Sequence, residues 1–330
     1  MNNTDARSTE NNAFWKGYPE IESGLDSVSR RMHEIVNSGN FPLAEAIEKL
    51  INANGKMLRP AFMLLSGRFG RQPKDLSDLA AALELLHVAT LIHDDIIDEA
   101  GTRRGVPTIH SVHGVKGAVL AGDWLFSRSF RLASSSSSPA NARLLAALVG
   151  ALCSEEIHQD MDRYRWPRSE RNYLRKISGK TAALFALSLR AGAVETKTAP
   201  RHVMALTRIG WATGMAFQII DDVLDFESTE GVLGKPVAAD MRDGLCTLPL
   251  IIALKKVPEK IEAYLGTEKI SNDGIEKVLA AVNSCGALKE AREHAGIYTA
   301  RAMQELGHLP KGKAKEELHD IIKQLLSRHS

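Results

Sequence analysis

The sequence predicts an all-α fold, and three observations carry that prediction. Apolar residues recur at helical spacing along most of the chain, residues that favour strands are sparse, and turn-formers are thinly spread. Of 330 residues, 44% are hydrophobic and only 5% aromatic, with 25 Gly and 12 Pro. A chain of this length can bury roughly 75% of its unfolded surface, so its core needs no covalent staple. The 42 Lys and Arg against 40 Asp and Glu leave a net charge of +2. That balance argues against nucleic acid as a partner and leaves any electrostatic function to local clusters. Cys153, Cys246 and Cys285 lie far apart and form no CxxC pair, which reads as reduced thiols and a cytoplasmic location.

Taken in order, the chain opens on MNNTDARSTENN, polar and without the apolar core of a signal peptide. Residues 1–20 read as a flexible leader and 21–330 as a single all-α domain. Leu79, Leu83, Leu86 and Thr90 recur at i, i+4, i+7 and i+11 through LAAALELLHVATLIHDDIID, a helix too apolar to lie on a surface. Further helical patterns cover Leu144–Met161, Arg171–Gly192, Arg201–Phe226 and Thr247–Leu254, and Lys313–Arg328 is amphipathic. Breaks fall at Gly101–Pro107, Ser134–Pro139, Ala191–Pro200 and Thr229–Pro236, with the serine run Ser134–Ser138 read as a surface loop. No apolar run approaches the roughly 18 residues of a membrane span, so no transmembrane segment is expected. No repeat, heptad array or shift in composition marks a boundary.

Two short segments carry the chemistry. His93-Asp94-Asp95-Ile96-Ile97-Asp98 and Ile220-Asp221-Asp222-Val223-Leu224-Asp225 each contain DDxxD, with acids at i, i+1 and i+4 at the end of an apolar helix. On a helix Asp94 and Asp98 share a face, as do Asp221 and Asp225. One such stripe is often only a solvated face. Two copies, each closing a buried run, point to a cation held among the carboxylates. Mg²⁺ suits them, because it takes one or two carboxylates and leaves its other positions to water and phosphate. His87 precedes the first acids, and Gln218 the second, at spacings that align them with the acids along one wall.

Cations follow. Lys56 and Arg59 lie in GKMLRP ahead of a helix, Arg103-Arg104 follow the first acids across a turn, Lys180-Thr181 open an apolar helix, and Lys235 stands in the loop after the second acids. Arginine forks and lysine point charges suit phosphate oxygens. Ser178-Gly179-Lys180-Thr181 is not a P-loop, since Leu174 stands where its first glycine belongs and no strand precedes it. His110 and His113 have no third ligand near them in sequence. Two magnesium-type acid clusters, phosphate-type cations and a deep apolar core together suit a diphosphate ester with a long apolar tail.

The motifs and their order resemble the trans-isoprenyl diphosphate synthases, the polyprenyl synthetase family. GKMLRP resembles the family's GKRxRP, LIHDDIIDEAGTRRG its first aspartate-rich motif, and AFQIIDDVLDF with LGKP its second, with GDWLF and TLPL in the intervening places. The similarity runs from about Gly24 to the C-terminus. EIHQDMDRY, FESTEGVLGKP and LPKGKAK look most like the long-chain bacterial enzymes.

The resemblance implies a helical bundle of the isoprenoid synthase type around a deep central cavity. It also implies head-to-tail condensation of isopentenyl diphosphate onto an allylic diphosphate. By the motif match, Asp94, Asp98 and Asp221 would bind Mg²⁺, about three ions once substrate is present, supported by Asp95, Asp222 and Asp225. Lys56, Arg59, His87 and Arg104 would hold isopentenyl diphosphate. Arg103, Lys180 and Lys235 would hold the allylic diphosphate, with Thr181 and Gln218 beside the reacting carbons. The expected assembly is a homodimer or a heterodimer with a small subunit, with transient membrane contact for product release.

Two positions depart from the pattern. Met57 replaces the usual Arg of GKRxRP, and Leu245 stands where many members carry Lys, implying a weaker grip on the allylic diphosphate. Ala89 and Thr90, five and four residues before Asp94, are small where short-chain relatives carry a bulky aromatic. An open channel there implies a long product, roughly C30 to C40. A short-chain synthase, a class I terpene cyclase and a non-catalytic partner subunit are the alternatives. The cyclase's second motif is usually of an Asn/Ser/Glu kind, and a non-catalytic subunit would not need both acid motifs.

Overall fold

The computed structural model describes residues 14–53, 55–166, 169–227 and 237–327. They form two compact units. The first takes the chain up to Ala146 together with Ser188–Val203, and the second comprises Ala147–Leu187 and the chain from Met204.

The first unit is organised on one helix. Its elements are α1 (Pro19–Asn37), α2 (Ala44–Asn52), α3 (Leu58–Gly67), α4 (Ser77–Ile97), a hairpin of β1 (Thr102–Arg103) and β2 (Val106–Pro107), and α5 (Ile109–Ser136). Residues Leu79–Leu86, Val88, Ala89 and Ile92 of α4 are all buried, as expected of a helix apolar on every side. α1 contributes a single stripe, Ile21, Leu25, Val28, Met32 and Ile35, and packs it against α3 and α4. α5 runs along α4, where Ser129 Oγ donates to Ala82 O at 2.7 Å. Gly122 permits this approach, since a Cβ there would stand 2.1 Å from His93 Nε2. α5 is bent at Gly114, whose φ of 73° breaks the helical path.

The serine run is a correction to the sequence reading. Ser134–Ser136 form the last turn of α5 rather than a loop. Their hydroxyls turn back onto the helix, Ser134 to Arg131 O, and Ser135 and Ser136 to Leu132 O, so short polar side chains end a helix without leaving it. Beyond them, Glu195 closes the unit. Its buried carboxylate accepts from Lys74 Nζ (2.6 Å), the Ser138 amide (2.7 Å) and Asn141 Nδ2 (2.8 Å).

The remaining helices are α6 (Pro139–Met161), α7 (Glu170–Ile177), α8 (Ala183–Glu195), α9 (Pro200–Glu227), α10 (Ala239–Arg242), α11 (Leu248–Lys256), α12 (Asn272–Ser284), α13 (Ala287–Leu306) and α14 (Lys313–Leu326). In the second unit Met215, Ile219, Val223 and Phe226 of α9 share a core with α11, which is buried from Leu248 to Leu254, and with Ile275, Val278 and Val282 of α12. Sequence periodicity predicts a helical pattern over Arg171–Gly192, with Lys180-Thr181 opening an apolar helix. The structure places a π-helical turn at Ser178–Ala182 between α7 and α8. α9 is long and apolar enough, by length and composition, to cross a membrane, although no uninterrupted apolar run in the sequence is. Two-thirds of its most apolar stretch is buried inside the protein, as in a core helix.

Candidate active site

The first acid motif ends α4 in the first unit. Its three carboxylates divide by burial. Asp95 is 2% exposed, Asp94 is half-buried and Asp98, which caps the helix, is exposed. Asp95 accepts from Arg103 Nε at 2.6 Å. Burial raises its pKa and the arginine opposes that rise. The hairpin sets this geometry. Arg104 and Gly105 form its two-residue turn, both with positive φ (52° and 82°), as a type I′ turn requires. Arg103 therefore lies on the strand beside Asp95, while Arg104 sits in the turn.

Arg104 reaches the other cation-bearing loop, with Nη1 3.5 Å from Ala53 O and its guanidinium packed on Gly55. That loop is shaped from the N-terminal side. Trp15 Nε1 donates to Lys56 O at 2.8 Å, and Lys56 Nζ lies 4.7 Å from the Phe14 ring centroid. Met57 has φ 48°, a left-handed conformation uncommon for a residue with a side chain, and α3 starts from it. Arg59 is consequently inside the first turn of α3 rather than ahead of the helix. Arg59, Arg104 and Arg103 act on His87, whose pKa falls well below its usual value through burial and then through these three charges. The imidazole is thus neutral near pH 7. The structure brings Arg59, Arg103 and Arg104 around His87 in the first unit, and places Lys56 in the loop on which Arg104 packs, its ammonium over Phe14. Along α4, His87, Thr90, Leu91 and Asp94 remain partly open, whereas Ala89 is fully buried.

The second acid motif ends α9 in the second unit. Again the middle carboxylate is buried, with Asp222 3% exposed, while Asp221 and Asp225 are half-buried. Asp222 accepts from Tyr173 Oη at 2.6 Å and from Gln218 Nε2 at 2.8 Å, and Gln218 Oε1 accepts from Thr181 Oγ at 2.6 Å. Burial raises the Asp222 pKa, and Asp240 reinforces the rise. Asp225 accepts from the Ala239 and Asp240 amides at 3.2 and 3.3 Å, tying α10 back to the acid helix. The π turn widens the helix at Thr181, the residue that bonds Gln218, and such turns recur at functional sites. Lys180 is paired with Glu156. Lys235 lies outside the described residues.

Sequence reasoning did not single out Tyr173, Lys176, Glu156, Phe14 or Trp15. Tyr173 and Lys176 stand seven and four residues before Lys180, the spacing of one helix face, and that was the available signal. Lys176 lines an open pocket with Arg175 and Leu245, so the wall that carries the neutral Leu245 also carries two cations. Burial lowers the Lys176 pKa, and Asp222 and Asp240 oppose that.

Among the described residues no three acid, His or Cys side chains form a closed metal cage. Asp94 with Asp98, and Asp221 with Asp225, offer hard oxygen donors one turn apart at partly open helix ends. That donor set fits Mg²⁺, which leaves most of its positions to water and phosphate.

The chain is similar in sequence and fold to known proteins. Residues 41–282 match the polyprenyl synthetase family. Over 316 residues the chain is 35% identical to heptaprenyl diphosphate synthase component 2 of Bacillus subtilis (strain 168), covering 96% of this chain and 91% of that protein. The crystal structure of heptaprenyl diphosphate synthase from Staphylococcus aureus superposes with a TM-score of 0.90 at 33% identity, over 94% of this chain and 99% of that one. That of geranylgeranyl pyrophosphate synthase from Lactobacillus brevis gives the same TM-score and identity over 96% and 100%. With family, helical fold and relatives in agreement over nearly its whole length, the chain belongs to the polyprenyl synthetase family and is a prenyltransferase of the trans-prenyl diphosphate synthase kind.

Proposed function

We propose that the chain condenses isopentenyl diphosphate head-to-tail onto an allylic diphosphate and repeats the step to a long product, roughly C30 to C40, of the size of a quinone side chain. The observation that carries this reading is the paired arrangement of acids. Each DDxxD ends a long apolar helix, with its middle carboxylate buried and its outer ones more exposed. Mg²⁺ held by Asp94, Asp98 and Asp221 would neutralise the diphosphate leaving group.

The chain's own residues supply the rest. Lys56, Arg59 and Arg104 bind the diphosphate of isopentenyl diphosphate, and neutral His87 adds an N–H donor without further charge. Lys180, Lys235 and Arg103 hold the allylic diphosphate, with Arg103 keeping donors to spare beyond the one given to Asp95. The allylic C–O bond breaks and the electron pair leaves with diphosphate. The alkene of isopentenyl diphosphate then forms the new C–C bond, and the proton lost from the resulting cation passes to the departed diphosphate. Thr181 and Gln218, bonded to each other, stand beside the reacting carbons. The open stripe of α4 with the small Thr90 at its centre supports a long product.

The similar Bacillus protein is named as a component, so a small partner subunit is the proposed requirement, with a homodimer as the alternative, in the cytoplasm and in transient membrane contact when product leaves. The test incubates the purified chain with Mg²⁺, farnesyl diphosphate and labelled isopentenyl diphosphate and sizes the products. A ladder ending near C30 to C40 supports a self-sufficient long-chain synthase. Activity only after adding host extract supports the two-subunit form. A stop near C20 favours the short-chain reading, to which the equal match to the geranylgeranyl enzyme gives weight.

A further inference from the structure

Side-chain hydrogen bonds join the α7–π turn segment to α9 at three levels. Trp211 Nε1 donates to Ser178 Oγ at 2.8 Å, Thr181 Oγ donates to Gln218 Oε1 at 2.6 Å, and Tyr173 Oη donates to Asp222 Oδ2 at 2.6 Å. Gln218 Nε2 takes the other oxygen, Oδ1. Both oxygens of Asp222 are thus occupied by neutral donors, one from its own helix and one from α7. Tyr173 is itself buried, 4% exposed, so water does not compete for its hydroxyl.

Such a carboxylate cannot rotate without abandoning a donor in a place where replacing it is costly. Asp222 is also the chain neighbour of Asp221 and lies one turn before the end of α9. Helix phase already places Asp222 on the buried side of α9, and its two donors fix the carboxylate there, beside the backbone that carries Asp221. We propose that Tyr173 is a positioning residue, whose hydroxyl holds the buried Asp222 carboxylate and so fixes the end of α9 from which Asp221 meets the divalent cation.

The inference rests on the reading that Asp221 binds the metal. Its test is made on the full chain with Mn²⁺ and inorganic diphosphate as the probe, following free Mn²⁺ by electron paramagnetic resonance. Tyr173→Phe keeps the ring and removes only the hydroxyl. The expected result is a rise of about tenfold in the half-saturating Mn²⁺ concentration, the low end of what losing an outer-shell hydrogen bond at a metal site costs. The KM for isopentenyl diphosphate should stay within twofold, because its proposed cations lie in the first unit.

Trp211→Phe is the control. It removes a bond of the same seam without touching Asp222, and should lower the melting temperature while leaving the Mn²⁺ midpoint in place. An equal midpoint shift in Trp211→Phe would reduce Tyr173 to a generic packing residue and overturn the proposal, as would an unshifted midpoint in a folded Tyr173→Phe. Should Tyr173→Phe not fold, Gln218→Leu removes the donor to the other oxygen and must show the same rise. Wild-type chain that binds no Mn²⁺ with diphosphate would instead remove the metal reading itself, a failure distinguishable from the others.

Discussion

The two acid motifs are the same five-residue pattern, and the protein gives their middle carboxylates different hydrogen-bond partners, charged in one and neutral in the other. Asp95 and Asp222 are both buried, and in both motifs the outer acids are more open. Asp95, however, is hydrogen-bonded to a full positive charge, the Arg103 guanidinium at 2.6 Å, whereas both oxygens of Asp222 are bonded to neutral groups, a phenol and an amide. Lys176 acts on Asp222 only through its field. The last acids differ as well. Asp98 is an exposed helix cap, and Asp225 anchors the amides of α10. Local sequence therefore sets which acid turns inward, because helix periodicity does that. What bonds it there is a tertiary matter, decided by a hairpin eight residues away in one case and by a helix 49 residues away in the other.

Removing an outer acid should erase this difference and have the largest effect. Asp94→Ala and Asp221→Ala are each expected to lower kcat by roughly 10³-fold, about 4 kcal/mol of transition-state stabilisation. Steady-state kinetics at saturating Mg²⁺ checks it. A deficit in only one of the two would break the functional equivalence of the motifs.

Removing the partners of the inner acids should expose the difference. Arg103→Leu leaves a buried carboxylate without its counter-charge and should cost about 3 kcal/mol of folding stability. Tyr173→Phe removes one neutral hydrogen bond and should cost about 1–2 kcal/mol. Urea unfolding at pH 7 measures both. The reverse ranking would mean that the phenol, and not the cation, is the stronger support.

The legible part of this molecule is what one helix can encode. Asp94 with Asp98, Asp221 with Asp225, and the all-round apolarity of α4 follow from a period of 3.6 residues, and the sequence shows them directly. The π turn at Ser178–Ala182 was not legible, because its residues, Ser-Gly-Lys-Thr-Ala, weaken a helix without specifying a π turn, and the extra residue per turn comes from packing. Nor was the helical state of Ser134–Ser136, where composition argued for a loop and back-bonded hydroxyls decided otherwise. Tyr173 and Trp15 escaped for another reason. Their partners, Asp222 and Lys56, lie 49 and 41 residues away, and no local spacing points across such a distance.

A third buried carboxylate sharpens the comparison from outside the motifs. Glu195 combines both solutions, one lysine and two neutral donors. Burial alone would raise its pKa, but Lys74, the Ser138 amide and Asn141 more than offset this and hold it at about 2. Because the folded value lies below the unfolded one, near 4.5, its stabilisation is whole above pH 4.5 and is lost as pH falls through that value towards 2. Glu195→Gln should therefore cost about 2 kcal/mol at pH 7 and progressively less below pH 4.5. Urea midpoints of both proteins at several pH values read this out, and a gap that does not change with pH would show that the charge is immaterial.

The smallest energetic effect should carry the clearest product signature. On α4 the partly open stripe includes Thr90, whose hydroxyl is spent on His87 O at 2.7 Å, so its methyl is what the stripe presents. Ala89, the neighbouring candidate, is fully enclosed, and a phenylalanine there would overpack the core at a cost of about 1–3 kcal/mol. Thr90→Phe is the cleaner probe, expected to change stability by less than about 1 kcal/mol while shortening the product by several isoprene units. Sizing the products of the two variants separates the effects. A shortened product from Thr90→Phe with an unchanged melting temperature places the length-setting wall on the open face of α4. An unchanged product distribution in that variant removes α4 from the ruler and leaves the first acid helix with the metal alone.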